Sequence, residues 1–289
     1  MRYDSSSAFR RALEDRLRHQ ALSSGAPLAR LRKMVAFERF LARLVTAQPD
    51  AWVLKGGLAL QFRLGGRART TQDIDLHLRQ TSPADHVHAT LVAAALRNLG
   101  DWFAFEVARP AQPAGLRFPV QSLLDGRLFE AFHVDVGMDD PLMEPAEMLS
   151  APPLLEFAGI SPVKIPAYPL TQQIAEKVHA LTRQYVTGES SRVRDWVDIL
   201  LMARWEGLRA GVLRQALLAT FDRRGTHPLP QRMPSPPPSW LRPFRHLCEQ
   251  TGLEYENLEE ATQAIQCFLD PVLSGQAAER WDAIRWRWE

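Results

Sequence analysis

The sequence is poor in cysteine and has no long apolar run. Its two cysteines, Cys248 and Cys267, form no CxxC pair and no other metal-ligand spacing. So few cysteines in a chain of 289 residues are typical of a protein from a reducing cytosol. No segment is apolar over the length that a transmembrane helix needs, and the first residues lack the apolar core of a secretory signal. We therefore expect a cytoplasmic protein that does not associate with membranes.

Lysine is also scarce. Only four of the 35 basic residues are lysines, so 31 (35 − 4) are arginines. A GC-rich genome is enough to explain this preference, although guanidinium groups also suit phosphate recognition. Hydrophobic residues make up 46% and charged residues 24% of the chain, and the formal net charge is only +2. These values are typical of an ordinary globular protein, and the length allows one large domain or two smaller ones.

Two aspartates, Asp73 and Asp75, lie near the end of the segment Lys55–Leu78. Their neighbours in Thr70–Leu78 are largely apolar or β-branched, which predicts a strand. Alternate residues of a strand point to the same face, so the two carboxylates are expected side by side. Carboxylates at this spacing repel each other unless a cation lies between them, and Mg²⁺ or Mn²⁺ prefers such oxygen ligands. Alone the pair is weak evidence, because acidic pairs are common on protein surfaces.

The residues before this strand strengthen the metal hypothesis. Trp52–Leu54 predicts a short strand, Gly56-Gly57 a turn, and Leu58–Leu64 a short helix. Glycines allow a backbone to approach a phosphate closely, and the free N–H groups at the start of a helix attract anions. We therefore expect this segment to bind phosphate groups beside the two aspartates.

A third aspartate, Asp135, lies in a second predicted strand, Phe129–Gly137, which alternates apolar and polar residues. Its neighbours are Val134 and Val136, and a carboxylate buried between them is costly unless it is paired. The alternative is that Asp135 faces solvent from an ordinary alternating strand.

Two predicted helices in the second half carry a further group of charged residues. Leu170–Tyr185 has Lys177 at the edge of its apolar stripe, and Ser191–Trp205 is apolar almost all round but contains Asp195 and Asp198 on one face. Buried carboxylates need cations, and the candidates are Lys177, Arg192 and Arg194. The alternative to a functional site is a structural ion-pair network between the two helices. His179 is expected on the outward face of its helix.

The rest of the chain is predicted to be largely helical. The long helix Pro27–Gln48 carries four arginines, expected to form a solvated face, with nucleic-acid contact as the alternative: Arg30, Arg32, Arg39 and Arg43. The segment 226–243 is rich in proline and predicts an extended connector. The other predicted helices are Ser7–Ser24, Ala84–Leu99, Leu208–Arg223, Asn257–Ser274 and Gln276–Trp288. The other predicted strands are Phe103–Ala108, Leu116–Val120 and, at a sheet edge, Ile160–Ala167.

The strand, Gly-Gly turn, helix and acidic strand together resemble the catalytic hairpin of the DNA polymerase β-like nucleotidyltransferases. More narrowly, KGGLAL followed by RTTQDIDL, the VDVG of residues 134–137, and YPLTQQIAEKVHALTRQY followed by SRVRDWVDIL resemble the AbiEii/AbiGii toxin family, which includes the MenA group. The resemblance covers about residues 50–205. One departure is that Gly57-Leu58 stands where the superfamily usually has Gly-Ser, so no hydroxyl is available there.

The resemblance implies an α/β fold: a nucleotidyltransferase core with a mixed sheet (residues 1–165, including the N-terminal helices) and a C-terminal helical domain (residues 166–289). It also implies a type IV-like toxin that transfers a nucleoside monophosphate from an NTP to a hydroxyl, with Mg²⁺ or Mn²⁺ as cofactor, a tRNA 3′ end as acceptor and an antitoxin as partner. Protein nucleotidylylation and a non-catalytic nucleotide- or partner-binding role remain alternatives. The implied metal ligands are Asp73, Asp75 and Asp135, which with Lys177 and Asp195 form the catalytic set. The residues expected to bind the nucleotide are Lys55, Gly56, Gly57, Arg67, Arg69 and Arg192. For Arg67 and Arg69, expected at the leaving pyrophosphate, the alternative is that they are two solvated loop arginines.

Overall fold

The computed structural model describes residues 2–112, 116–138, 142–183 and 192–289. By internal contacts the chain divides into two compact units. The first comprises Met1–Gly66, Thr70–Asp139 and Ala146–Ala167, and the second comprises Arg67–Arg69, Asp140–Pro145 and Tyr168–Glu289. The domain boundary between residues 165 and 166 stays a prediction. The predicted helix ends at Tyr185 and Ser191 lie outside the described residues.

The first unit is built on a mixed sheet with the strand order β3-β4-β5-β2-β1-β7-β6. Two pairs of neighbours, β2 with β5 and β1 with β7, are parallel, and the others are antiparallel. The strands are β1 (Trp52–Lys55), β2 (Ile74–Leu78), β3 (Phe103–Val107), β4 (Arg117–Leu124), β5 (Arg127–Gly137), β6 (Glu147–Ser150) and β7 (Lys164–Ala167).

Four helices accompany this sheet: α1 (Ser6–Ser24), α2 (Leu28–Ala47), α3 (Gly56–Leu64) and α4 (Ala84–Ala95). Helix α2 is buried along most of its length and packs against β5 and β7, so it fills the centre of the unit. Alternating residues of β5, among them Phe132, Val134 and Val136, enter the same core. The apolar face of α2 and the inward-facing apolar residues of β5 therefore pack against each other in the core of the first unit.

The expectation of a solvated arginine face on α2 is wrong for Arg39 and Arg43. Arg43 is fully buried and donates from Nη1 and Nη2 to the two carboxylate oxygens of Asp101, at 2.9 and 2.7 Å. Arg39 Nη1 lies 3.6 Å from the same carboxylate. Since Asp101 lies in a loop far along the chain, the spacing of residues within α2 contains no information about this partner.

The hairpin of β4 and β5 was only partly predicted. Residues up to 124 form a strand, and the two residues Asp125 and Gly126 form its tight turn, with φ values of 55° and 66°. Such a turn fits the twist of a two-stranded hairpin. The predicted edge strand is also wrong in its position: β7 lies between β1 and β6, and the edge is the unpredicted β6.

The second unit contains the helices α5 to α9 and a short hairpin of β8 and β9. The predicted C-terminal helix Gln276–Trp288 is wrong, because this hairpin occupies its place. Helix α8 was missed, since it begins inside the predicted proline-rich connector. The elements are α5 (Leu170–Thr182), α6 (Val193–Ala203), α7 (Ala210–Arg224), α8 (Leu241–Thr251), α9 (Leu258–Ser274), β8 (Trp281–Asp282) and β9 (Arg287–Trp288).

Three tryptophans fix the hairpin to the helices of its own unit. The indole N–H groups of Trp281, Trp286 and Trp288 donate to the carbonyl oxygens of Ala203, Ala264 and Phe268, at 2.7, 2.9 and 2.8 Å. A tryptophan whose ring is packed and whose N–H is paired stabilises such a docked end. Separately, none of the helices in the described part of the chain is both long and apolar enough to cross a bilayer.

Candidate active site

Four neighbouring strands of the first unit place charged residues in one row across the sheet. The pairing register aligns Arg117 of β4 with Asp135 of β5, Asp135 with Asp75 of β2, and Asp75 with Lys55 of β1. Aligned residues of neighbouring strands face the same side of a sheet, about 4.8 Å apart. The order is therefore arginine, aspartate, aspartate, lysine, with both carboxylates between the two cations. We call these four residues the charged row.

Asp73, two residues before Asp75, lies on the same face. It is placed opposite His133 by the pairing of Ile74 with Val134, and its Oδ1 accepts the backbone N–H of His133 at 3.3 Å. The ring Nδ1 of His133 is also 3.3 Å from that oxygen. The structure thus brings together all three predicted metal ligands, on β5, on β2 and just before β2.

Arg117 joins two of these carboxylates. Its Nη2 donates to Asp73 Oδ2 at 2.9 Å, and its Nη1 donates to Asp135 Oδ2. The side chains of Arg117, Asp73 and Asp135 are 51%, 27% and 32% exposed. Within the described residues, no group of three or more Asp, Glu, His or Cys side chains converges as a metal site does. The guanidinium group of Arg117 lies between the two carboxylates instead.

The pKa values of this cluster reflect the packing of like and opposite charges. Partial burial raises the pKa of the Asp135 carboxyl above its ordinary value, and the charge of Asp73 adds to this while Arg117 opposes it. The hydrogen bond to Asp73 raises the pKa of Arg117. Asp135 is thus a carboxylate whose charge is only partly compensated, which favours binding of a further cation.

Two glycines make room for the charged row. Gly56 has a φ of +65°, and a Cβ atom there would lie 1.9 Å from Asp75 Oδ2. Any other residue at position 56 would collide with the carboxylate and strain the backbone. On β5, a Cβ atom on Gly137 would lie 2.9 Å from Lys55 Nζ. Lys55 therefore reaches past Asp75 toward β5, and α3 begins at Gly56 directly beside the acidic cluster.

The second unit holds a separate, buried cluster around Lys177. Lys177 Nζ donates to Asp195 Oδ1 at 2.8 Å and to Asp198 Oδ2 at 2.7 Å. The side chains of Lys177, Asp195 and Asp198 are 9%, 14% and 0% exposed. The ion-pair network that the sequence analysis left as the alternative is therefore present, and it joins α5 to α6. The catalytic role of Lys177 and Asp195 stays a prediction.

Arg69 is a further cation in this cluster, and the sequence analysis did not predict its contact with Asp198. Its Nε and Nη2 donate to the two oxygens of Asp198, at 3.0 and 2.8 Å. Asp198 thus receives a two-pronged arginine as well as Lys177, which offsets the cost of burying its charge. Arg192 Nη1 lies 3.4 Å from Asp195 Oδ2, whereas Arg67 is exposed.

Burial and ion pairing act in opposite directions on the pKa values here. Burial acts to raise the pKa of Asp195, and the charge and hydrogen bond of Lys177 outweigh it and hold that pKa below its ordinary value. Burial acts to lower the pKa of Lys177, and the charges of Asp198 and Asp195 raise it above its ordinary value. Lys177 and Asp195 are therefore both ionised near neutral pH.

The prediction that His179 faces outward is wrong. His179 is buried, and its Nε2 lies 2.9 Å from Thr226 Oγ1. Its ring packs against the rings of Phe221 and His227, with centroids 4.9 and 4.7 Å apart. The side of α5 that carries His179 is covered by α7 and the residues after it, which the periodicity of α5 alone does not reveal.

A comparison with protein families identifies the family of this chain. The family described as nucleotidyl transferase AbiEii toxin, type IV TA system, matches residues 39–286. The chain belongs to the AbiEii family. The family resemblance and the expected nucleotidyltransferase activity are therefore confirmed, and membership in a type IV toxin family implies an NTP substrate and an antitoxin partner. A comparison with curated protein sequences gives no match.

Solved structures of similar fold include MenT4, a nucleotidyltransferase toxin from Mycobacterium tuberculosis. It is 18% identical to the AbiEii chain, the alignment covers 91% of this chain and 98% of that one, and the TM-score is 0.59. JHP933 from Helicobacter pylori is 13% identical over 84% of this chain and 93% of that one, with a TM-score of 0.43. The likeness to MenT4 concerns the fold, and it confirms the expected α/β nucleotidyltransferase fold.

Sequence reasoning missed Arg117 and His133, which contact the acidic cluster, and the space that Gly137 leaves for Lys55. In the second unit it identified Asp198 as a buried carboxylate but did not predict its contact with Arg69. The Asp-Gly dipeptide at 125–126, between two apolar stretches, is the signal that could have revealed the β4–β5 hairpin and with it the neighbourhood of Arg117.

Proposed function

We propose that this AbiEii protein transfers a nucleoside monophosphate from an NTP to a hydroxyl group with the help of a divalent cation, and that the hydroxyl belongs to the 3′ end of a tRNA. The observation that carries the proposal is that Asp73, Asp75 and Asp135 lie on one face of the sheet, at β2 and β5, beside the glycine-lined start of α3. The tRNA acceptor rests on family resemblance.

The residues present suit a hard divalent cation. Asp73, Asp75 and Asp135 offer carboxylate oxygens, which Mg²⁺ and Mn²⁺ prefer, and Asp73 and Asp135 are accessible to solvent. The raised pKa of Asp135 indicates that its charge lacks full compensation in the protein alone. When bound, two such cations would neutralise charge on the triphosphate and activate the attacking hydroxyl.

The residues that the sequence analysis assigns to the nucleotide are proposed to bind the triphosphate. Lys55 reaches over Asp75 toward Gly137, so its ammonium group can pair with a phosphate oxygen that approaches this face. Gly56 and Gly57 begin α3, where backbone N–H groups attract anions. Arg67 is exposed and is assigned to the leaving pyrophosphate, whereas Arg69 is engaged by Asp198.

The third segment that resembles the AbiEii family contains Lys177, Arg192 and Asp195, and we include these residues in the proposal for that reason. In the structure Lys177 is held by Asp195 and Asp198, and Arg192 lies beside Asp195. We propose that Lys177 and Asp195 form the second part of the catalytic set and that Asp198 positions Lys177. The two carboxylates keep Lys177 charged and fix the direction of its ammonium group.

Labelling separates this function from its rival. The protein is incubated with each of the four NTPs, labelled at the α-phosphate, together with Mg²⁺ and either total tRNA or lysate protein depleted of nucleic acid. We expect label on tRNA and none after the substitution Asp75→Asn. Label on protein alone would favour protein nucleotidylylation. No label on either, with NTP still bound, would favour a binding-only member.

A growth assay tests the same assignment in cells. Expression of the chain without its antitoxin should slow bacterial growth, and Asp73→Ala should relieve the effect at equal expression. The physical reason is that one lost carboxylate removes a ligand and a negative charge from the metal site. Equal toxicity of the variant would contradict the catalytic account.

A further inference from the structure

Arg117 occupies the place between two carboxylates that the proposed function gives to a divalent cation. Each of its Nη groups takes a different carboxylate, Asp73 through Nη2 and Asp135 through Nη1. Asp73 directly precedes β2 and Asp135 lies on the neighbouring strand β5, so a single planar guanidinium links the two chain segments through side chains as well as through backbone. Two-pronged pairing of this kind fixes the distance between the carboxylates.

The guanidinium and a divalent cation cannot hold these carboxylates in the same way at once. Both are positive, and a cation placed between Asp73 and Asp135 would be repelled by Arg117 at a separation of a few ångströms. A divalent cation can displace the guanidinium group of Arg117, because about half of the Arg117 side chain is exposed and can move into water. Exposed ion pairs contribute little stability, so the exchange is inexpensive.

We propose that Arg117 is a positioning residue that keeps Asp73 and Asp135 together until a divalent cation displaces it. The inference rests on the proposed function, since it assigns the same carboxylates to the cation. Arg117 acts as a built-in counter-charge for the acidic cluster, and cation binding is then an exchange of one positive group for another. The position of Arg117 in the charged row, directly opposite Asp135, supplies this counter-charge from β4.

The exchange predicts that removing Arg117 strengthens metal binding. A residue that merely braced the ligands would have the opposite effect, because its loss would let the carboxylates drift apart. Loss of any positive charge also strengthens cation binding slightly through the long-range field. Arg109 provides the matched control, because it belongs to the same unit and pairs with Asp85, both side chains being largely exposed.

The experiment is a Mn²⁺ titration without nucleotide, in which the electron paramagnetic resonance signal of free Mn²⁺ reports binding. The variants are Arg117→Met, Arg117→Lys, Arg109→Met and Asp73→Asn, each checked for folding by circular dichroism. We expect Arg117→Met to bind Mn²⁺ about three- to tenfold more tightly than Arg109→Met, the range expected when two exposed ion pairs no longer compete. Arg117→Lys, which keeps the charge but cannot bridge both carboxylates, should also bind more tightly than the unchanged protein.

Equal or weaker Mn²⁺ binding by Arg117→Met and Arg117→Lys would overturn the displacement. The proposed metal site has its own readout in the same titration. If Asp73→Asn binds Mn²⁺ as the unchanged protein does, the assignment of Asp73 as a ligand fails, whatever Arg117 does. If Asp73→Asn weakens binding while the Arg117 variants have no effect, the metal site stands and the role of Arg117 is refuted.

Discussion

The two acidic clusters of this protein use the same chemistry in different surroundings. In the first unit, Asp73 and Asp135 are partly exposed and share one arginine, which is itself half in solvent. In the second unit, Asp198 is fully buried and receives both Arg69 and Lys177. An exposed cluster can exchange its cation for a ligand at low cost, whereas a buried one depends on its partners for stability. The two clusters therefore differ in their burial and not in their residue types.

The largest effect should come from breaking the buried cluster. Lys177→Met keeps the length of the side chain and leaves Asp195 and Asp198 without their shared cation, which should lower the free energy of unfolding by about 3–5 kcal/mol. Urea denaturation measures this loss. Lys164→Met, at an exposed lysine of β7, is the matched control and should change stability by less than about 0.5 kcal/mol.

An unchanged denaturation midpoint for Lys177→Met would contradict the structural role. The same variant also tests the catalytic role, at a temperature where it is folded. Loss of transfer beyond the unfolded fraction would support Lys177 as a member of the catalytic set, and full activity would remove it. A large loss of stability is expected because Lys177 is the shared partner of two buried carboxylates.

A third ionic cluster consists of Glu38, Arg39 and Asp101, all of them buried. It differs from the Lys177 cluster because the negative charge of Glu38 is incompletely paired. Burial raises the pKa of Glu38 from 4.5 to about 7, and its Oε2, 3.7 Å from Arg39 Nε, has no hydrogen-bond partner among the described residues. The carboxyl group of Glu38 therefore holds its proton more tightly in the folded protein than in the unfolded chain. Stability from this group is complete below about pH 4.5 and falls by on the order of 3 kcal/mol as pH rises to about 7.

Urea denaturation across this pH range checks the effect, with Glu38→Gln as the comparison. The glutamine keeps an oxygen for the backbone N–H of Val163 but carries no charge, so the decline between about pH 4.5 and pH 7 should largely disappear. Asp195 has the opposite sign: its lowered pKa contributes stability that is lost as the pH falls. Parallel pH profiles for the unchanged protein and Glu38→Gln would show that Glu38 is not the source.

The exposed cluster should respond to substitution in activity and not in stability. Asp73→Asn keeps the shape of the side chain and removes one charge, so nucleotidyl transfer should fall by more than about a hundredfold. Its melting temperature should stay within a few degrees, since exposed ion pairs contribute about 0–1 kcal/mol. Transfer rates and thermal denaturation of the same preparation measure both. A large fall in melting temperature would show that Asp73 belongs with the structural carboxylates.

The smallest effect is expected at the margin of the buried cluster. Arg192 is half exposed and lies 3.4 Å from Asp195, which Lys177 already pairs. Arg192→Ala should therefore lower the free energy of unfolding by less than about 1 kcal/mol. A loss as large as that of Lys177→Met would mean that Arg192 shares the buried charge equally. A large loss of NTP binding without loss of stability would support its assignment to the nucleotide.

Local patterns were enough to predict most helices and the strands that carry Asp75 and Asp135. The apolar periodicity of α2, α5 and α9 and the alternation of β5 each follow from neighbours a few residues apart. Asp73, Asp75 and Asp135 could be proposed as one group because the family-like hairpin supplied the missing long-range information. The C-terminal hairpin has strands of two residues, too short for any periodicity to identify.

Partners that depend on register or on distant loops could not be predicted. Counting back from the Asp-Gly turn, Leu124 pairs with Arg127 and Leu123 with Leu128, which would place Arg117 opposite Val134. An irregularity between Ser122 and Leu123 shifts the register by one, so Arg117 lies opposite Asp135. A shift of one residue reverses the face of every side chain that follows. Asp101 and Arg69 were missed for a similar reason, because their partners lie far along the chain.

The charged row also bears on how such a site can change over time. Its four members are spaced by backbone hydrogen bonds between β4, β5, β2 and β1, and not by the conformations of their own side chains. Exchanging Arg117 or Lys55 for another residue therefore alters the electrostatic environment of Asp75 and Asp135 while the backbone positions of these two aspartates stay the same. Arg117 and Lys55 lie at the two ends of the charged row, so either one can be replaced without moving the backbone of the other members. Metal preference and substrate charge could in this way diverge among relatives without any redesign of the core.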